Sequence, residues 1–138
     1  MGIMEAVIDR KERNQGMNWI RQEKRLALYL RDGMACAYCG EGVEAGAKFS
    51  LDHVSPHSMG GTNHAENLVT CCIRCNSSRG NRKMEEFASA TAAYLNHGIT
   101  AEEIIQHVTV TRQRPLPKDE AKELIARRGS AARVLAGM

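Results

Sequence analysis

Four cysteines in two short pairs offer the clearest chemistry in this chain. Cys36 and Cys39 form one C-x-x-C pair, Cys72 and Cys75 a second, and 32 residues separate the two. Each such knuckle bites one edge of a metal tetrahedron, so two of them read as a four-cysteine zinc site. Gly40, directly after the first pair, suits the tight turn of a knuckle. All five cysteines of the chain lie between residues 36 and 75, and an odd number leaves one thiol over in any full disulfide framework. The first ten residues lack the apolar core behind a basic start that an export signal needs, so the expected setting is reducing and cytoplasmic. Cys71 adjoins Cys72 and could be the ligand instead. Cys72 is preferred because Cys72 and Cys75 repeat the geometry of the first pair, and Cys71 then reads as a small buried residue. A redox role for the pairs is a distant alternative.

A second set of residues lies between and just beyond the knuckles. Asp52 and His53 end an alternating, strand-like stretch, 49–53. A loop with Pro56, Gly60 and Gly61 follows, then Asn67 and Leu68 at the start of a second short strand, 68–70. Asn76 follows Cys75 directly, and Arg79 stands three residues later. Alone, each of these has an ordinary reading: a surface ion pair, a glycine turn, an Asn cap. Together the pattern D-H-x-x-P, G-G, N-L, C-x-x-C-N-x-x-R resembles the HNH endonucleases, in particular the zinc-stabilised type with two C-x-x-C pairs. The resemblance covers residues 34–80. It implies a ββα-metal core in which Asp52 and Asn76 match the positions that hold a catalytic Mg²⁺ or Mn²⁺. By the same match His53 is the general base, and Asn67 holds the loop and helps orient the His. Cys36, Cys39, Cys72 and Cys75 match the structural zinc ligands. Arg79 stands where Lys is common in the family. His57 and His64 lie in the same loop, but no position of the pattern demands a further His.

Elementary chemistry supports the same roles. Hydrolysing a phosphodiester needs an activated water and stabilisation of charge on the phosphoryl and leaving oxygens. An imidazole with a pKa of about 6.5 takes a proton from water at neutral pH. A carboxylate and an amide oxygen suit a hard cation, and their single negative charge leaves it positive enough to polarise a phosphate. Neighbouring strand residues point to opposite faces, so Asp52 and His53 can flank one scissile phosphate.

These groups need elements to position them. Residues 18–32 carry Trp19, Ile20, Leu26, Ala27 and Leu30 on one helical face, with Gly33 as a stop, and residues 1–17 read as a frayed helix or an arm. A helix is expected over 72–79. Met84, Phe87, Ala88, Thr91, Ala92 and Leu95 trace a further helix that ends by Gly98. Thr100 and Glu103 form a capping-box signature before Ile104, Ile105 and Val108. Residues 118–128 read as a last amphipathic helix, resumed after Gly129. The expected fold is therefore α+β: an N-terminal helical arm, 1–33, a zinc-stabilised ββα-metal core, 34–83, and a C-terminal helical extension, 84–138.

Composition narrows the partners. The chain has 138 residues, 43% of them apolar and 4% aromatic, with a net charge of +3. That is too apolar for a disordered chain, and no stretch approaches the roughly 18 apolar residues of a membrane span. Few aromatics argue against stacking on single strands. Charge is uneven: residues 35–73 hold four acids and one Lys, whereas residues 74–83 hold Arg74, Arg79, Arg82 and Lys83 with no acid. These four are expected to meet the DNA backbone. The expected function is a metal-dependent HNH endonuclease that nicks DNA or cleaves both strands. The alternative is a non-catalytic zinc-stabilised DNA-binding module. The C-terminal helices could dock DNA, a protein partner or a second copy.

Overall fold

The computed structural model describes residues 20–138. The arm expected over 1–17 and Trp19 lie outside the described residues. The first described helix, α1, spans Gln22–Arg31; Arg21 before it is already extended, so the helix is shorter than the apolar pattern indicated. Strands β1 (Phe49–His53) and β2 (Leu68–Cys72) pair antiparallel, with Phe49 opposite Cys72 and His53 opposite Leu68. The second strand runs two residues further than expected, through both Cys71 and Cys72. Helix α2 (Ile73–Arg79) follows without a loop and completes a ββα unit. Helices α3 (Met84–Leu95), α4 (Ala101–Thr111), α5 (Lys118–Arg128) and α6 (Ala131–Ala136) follow. The capping box at Thr100 and Glu103 forms as expected. No helix among the described residues is long and apolar enough to cross a membrane.

The two-stranded sheet is too small to bury its own faces, and each face borrows a different helix. Phe49, Leu51 and His53 share one face of β1 by the period of two. There Leu51 and Leu68 pack with Leu28 and Tyr29 of α1, and the Tyr29 and Phe49 rings lie 5.4 Å apart. Ser50 and Asp52 share the opposite face, toward α2. The first knuckle, Val69, Cys71, Phe87 of α3 and Ile104 and Val108 of α4 form a second apolar cluster. The far side of α1, Leu26 and Ala27, buries against Ala121, Ala131 and Val134 of α5 and α6. The apolar face of the C-terminal helices is thus covered from within the chain.

The outer edge of β2 is closed by the segment that links α1 to the first knuckle. Thr70 N donates to Asp32 Oδ2 at 2.7 Å, and Ala37 N donates to Thr70 O at 2.8 Å. Arg31 pairs with Asp32 at 2.6 Å and also donates to Leu68 O and Ala65 O. Exposed strand edges otherwise invite pairing with other chains. Here the edge is spent on fixing α1 and the knuckle to the sheet.

Candidate functional site: a four-cysteine cluster beside a ββα strand end

The Sγ atoms of Cys36, Cys39, Cys72 and Cys75 all lie within 4.8 Å of one another. A tetrahedral zinc with bonds of about 2.3 Å sets its sulfurs about 3.8 Å apart, and Cys39 and Cys72 stand at 3.7 Å. The two knuckles repeat each other. Cys39 N donates to Cys36 Sγ at 3.5 Å, and Cys75 N to Cys72 Sγ at 3.4 Å. Such N–H contacts favour thiolates. Gly40 turns the first knuckle with φ of +82°, a conformation that a side chain would strain. The Cys75 contact draws the Cys36 thiol down to about 5, and the same contact pushes Cys75 up. All five cysteines are free thiols. Donor type, spacing and geometry fit a structural zinc. Cys71 stays outside the cluster and is fully buried in the apolar core, as expected of a small buried residue.

Asp52 sits on the α2 face of β1, in closer company than its sequence suggested. Its Oδ2 accepts from Tyr38 Oη and, at 2.6 Å, from Arg79. Burial pushes the Asp52 carboxyl above its ordinary range, against the lowering by Tyr38 and Arg79. Tyr38 lies inside the first zinc knuckle, edge-on to Phe87 at 4.9 Å between ring centroids. Burial and the adjoining Asp52 raise its phenol well above the usual value. Asn76, on the first turn of α2, reaches Ser50 Oγ at 3.4 Å and so joins Asp52 on the same face. Among the described residues no donor meets Asp52 Oδ1 or Asn76 Oδ1. The Asp52 side chain keeps 10% exposure. Two oxygens on one face, at the edge of solvent, fit a hard cation.

Arg79 corrects an expectation. It was expected on the DNA backbone, but it is 1% exposed. Its guanidinium donates to Asp52, Tyr38, the Val54 carbonyl and the Arg82 carbonyl. Every edge of the fork is occupied, so a phosphate has no access to it. The structural reason is helical spacing: Arg79 lies three residues after Asn76 and shares its sheet-facing side. Arg74, Arg82 and Lys83 remain exposed, and Arg74 lies over the Tyr94 ring at 4.9 Å. Arg74, Arg82, Ser78 and Tyr94 border a shallow cleft of about 220 Å³.

His53 occupies the other face of β1, half-exposed. Its Nε2 lies 2.7 Å from Asn63 Oδ1, and the His57 ring stands 5.6 Å away. Asn67 is buried and clamps the loop. Its Oδ1 accepts from Ser55 N at 2.8 Å, and its Nδ2 donates to Thr62 O at 2.8 Å and to Ser55 O at 3.1 Å. A Cβ on Gly61 would lie 1.8 Å from Ser55 O, so only glycine permits this approach. His57 and His64 are both exposed in the loop. Sequence reasoning missed Tyr38, which reads as an ordinary core aromatic, and Asn63, one polar residue among many in a loop.

A strand end of this kind, beside a four-cysteine cluster, fits a ββα-metal core. Residues 36–91 match a family model described as HNH endonuclease. The chain is 35% identical over 77 residues to the CRISPR-associated endonuclease Cas9 of Corynebacterium diphtheriae, a match that covers 55% of this chain and 7% of that relative. It is also similar to a solved structure, the Type II-C Cas9 enzyme from Actinomyces naeslundii. That likeness has 25% identity and a TM-score of 0.47, over 94% of this chain and 14% of the other. The chain therefore spans a small part of the length of either protein.

Proposed function

We infer that this chain is a metal-dependent endonuclease domain that hydrolyses phosphodiester bonds in DNA, by nicking or by cleaving both strands. One observation carries the reading. Two adjacent residues, Asp52 and His53, leave opposite faces of the β1 end, and the Asp52 face also receives the Asn76 amide. The endonuclease family match and the endonuclease named as a relative support the same class.

In this reading Asp52 Oδ1 and Asn76 Oδ1 hold Mg²⁺ or Mn²⁺. When bound, that cation supplies Lewis-acid polarisation of the phosphate and charge stabilisation at the leaving oxygen. His53 takes a proton from the attacking water as the water oxygen bonds to phosphorus. The bond to the 3′ oxygen breaks, and solvent protonates that oxygen. Tyr38 and Arg79 hold the other carboxylate oxygen, so that Oδ1 keeps one orientation. Asn67 serves by fixing the loop. Arg74, Arg82 and Lys83 form a basic edge for backbone phosphates, and none of the three has an acidic partner among the described residues. A net charge of +3 makes that contact salt-sensitive and modest in strength. A protein partner or a second copy would need surface other than the apolar face that α5 and α6 already turn to α1.

The non-catalytic DNA-binding reading has one observation in its favour: the Asp52–Arg79 pair, which neutralises the carboxylate within the fold. Nicking of supercoiled plasmid in Mg²⁺ or Mn²⁺, with and without EDTA, separates the two. His53→Ala is expected to lower nicking by at least about 100-fold, the usual weight of general-base catalysis, with zinc content and circular dichroism unchanged. Retained nicking by His53→Ala would sink the general-base role. DNA binding without cleavage by the unaltered chain, under any divalent cation, would favour the binding module.

A further inference from the structure

We propose that Asn63 is the residue that sets the tautomer and orientation of the His53 ring, and that α1 holds it in place from outside the family segment. The inference rests on the reading of His53 as the base and deepens it.

The amide oxygen of Asn63 accepts only, so at 2.7 Å it fixes the ring proton on Nε2. A neutral ring then carries its basic lone pair on Nδ1. A general base needs this choice made in advance, because a ring with the opposite tautomer presents a proton where it should present a lone pair. Asn63 itself is exposed, yet its backbone is held from several directions. Lys24 Nζ of α1 donates to Asn63 O at 2.8 Å. Asn67 Nδ2 holds the preceding carbonyl, Thr62 O, at 2.8 Å. His64 N donates to Thr62 Oγ1 at 3.3 Å. Gly61 lets the same loop close onto Ser55. The clamp by Asn67 and the support from Lys24 thus meet at the residue that touches His53. Asn67 affects the ring through Asn63, and Asn63 acts on the reacting water only through the ring, so it is a positioning residue.

The test uses the full chain with Asn63→Leu, which removes the acceptor at similar size, and Asn63→Asp, which keeps one. Single-turnover plasmid nicking by Asn63→Leu is expected to fall about 10–100-fold, by analogy with the loss of a partner that orients a metal-bound imidazole. Asn63→Asp is expected to recover most of the loss. The second readout is the pair of ring ¹⁵N shifts of His53 at alkaline pH, assigned by their absence in His53→Ala. The unaltered chain should carry the proton on Nε2, and Asn63→Leu should shift toward a mixture of tautomers. An unaltered chain with the proton on Nδ1 would overturn the proposal, and this holds even if Asn63→Leu fails to fold. So would an Asn63→Leu protein whose rate and ring shifts equal those of the unaltered chain, while His53→Ala is inactive and the base role stands. Full nicking by His53→Ala would instead remove the base role, whatever the shifts.

Discussion

The two faces of strand β1 hold their functional side chains in opposite ways. On the α2 face Asp52 is buried and gripped by Tyr38 and Arg79, groups that belong to a zinc knuckle and to a helix. On the α1 face His53 is half-exposed and meets an exposed loop residue, Asn63. The first arrangement draws rigidity from the core, because a carboxylate in low dielectric is costly to move away from its partners. In the second, the partner comes from a loop closed by Asn67 and held by Lys24. Under the proposed roles, a ligand for a hard cation tolerates little displacement, whereas a base that meets water needs solvent access, and the two faces differ in that sense.

Loss of zinc tests this contrast most severely. Structural zinc binds zinc-finger peptides with an apparent free energy of about 10–16 kcal/mol, which matches or exceeds the usual stability of a whole domain, about 5–15 kcal/mol. Cys72→Ser, or a strong chelator, is therefore expected to unfold the ββα unit and with it the Asp52 face. The apolar cluster of α1 with α5 and α6 contains none of the four cysteines. Hydrogen exchange should show protection lost across residues 36–91, with more retained over 118–136. Full protection over 36–91 after zinc removal would mean that the cysteines do not hold the fold together.

The Arg79 pair comes next in size. Arg79→Met removes the cation and leaves Asp52 buried beside Tyr38 with no charge partner. Breaking a buried pair in this way costs about 3–5 kcal/mol, and urea unfolding should reveal it as a lower midpoint. A change below about 0.5 kcal/mol is the size of an ordinary surface substitution. It would place Arg79 at the surface and restore it as a DNA contact.

Local pattern made much of this legible. The C-x-x-C spacing implied both knuckles, and the Cys39–Cys72 distance of 3.7 Å fits that reading. Alternation gave β1 to the residue and set Asp52 and His53 on opposite faces. Apolar periodicity gave α3, and the Thr100 capping box marked the start of α4. Contacts between residues far apart in the chain were not legible. Arg79 reads as solvated because charged side chains are seldom fully buried; only its meeting with Asp52, 27 residues earlier, reverses that. Tyr38 joins zinc knuckle to carboxylate across 14 residues, which no periodicity records. The extra length of β2 is hidden in the sequence because Cys71 and Cys72 are candidate metal ligands as well as strand residues. The placement of α1 between the sheet and the C-terminal helices needed two apolar faces on one short helix, and only one was apparent from the sequence.

The smallest expected effect is the most discriminating. Lys24 is partly exposed, and among the described residues it makes a single side-chain hydrogen bond, to the Asn63 carbonyl. Lys24→Ala should leave stability within about 0.5 kcal/mol. A charged hydrogen bond near the surface is worth about 1 kcal/mol or less, so nicking should slow by about 2–5-fold. A lysine at this position could also slow cleavage by losing a direct contact with a DNA phosphate, and the single variant does not separate the two causes. A double-mutant cycle does. If Lys24 acts through Asn63, Lys24→Ala has little further effect once Asn63→Leu has removed the acceptor. If Lys24 meets DNA on its own, the two losses multiply, and the Lys24 part fades as salt rises. The first outcome would tie the histidine face to α1, as the Asp52 face is tied to zinc. The second would leave the Asn63 contact independent of α1 and widen the difference between the two faces.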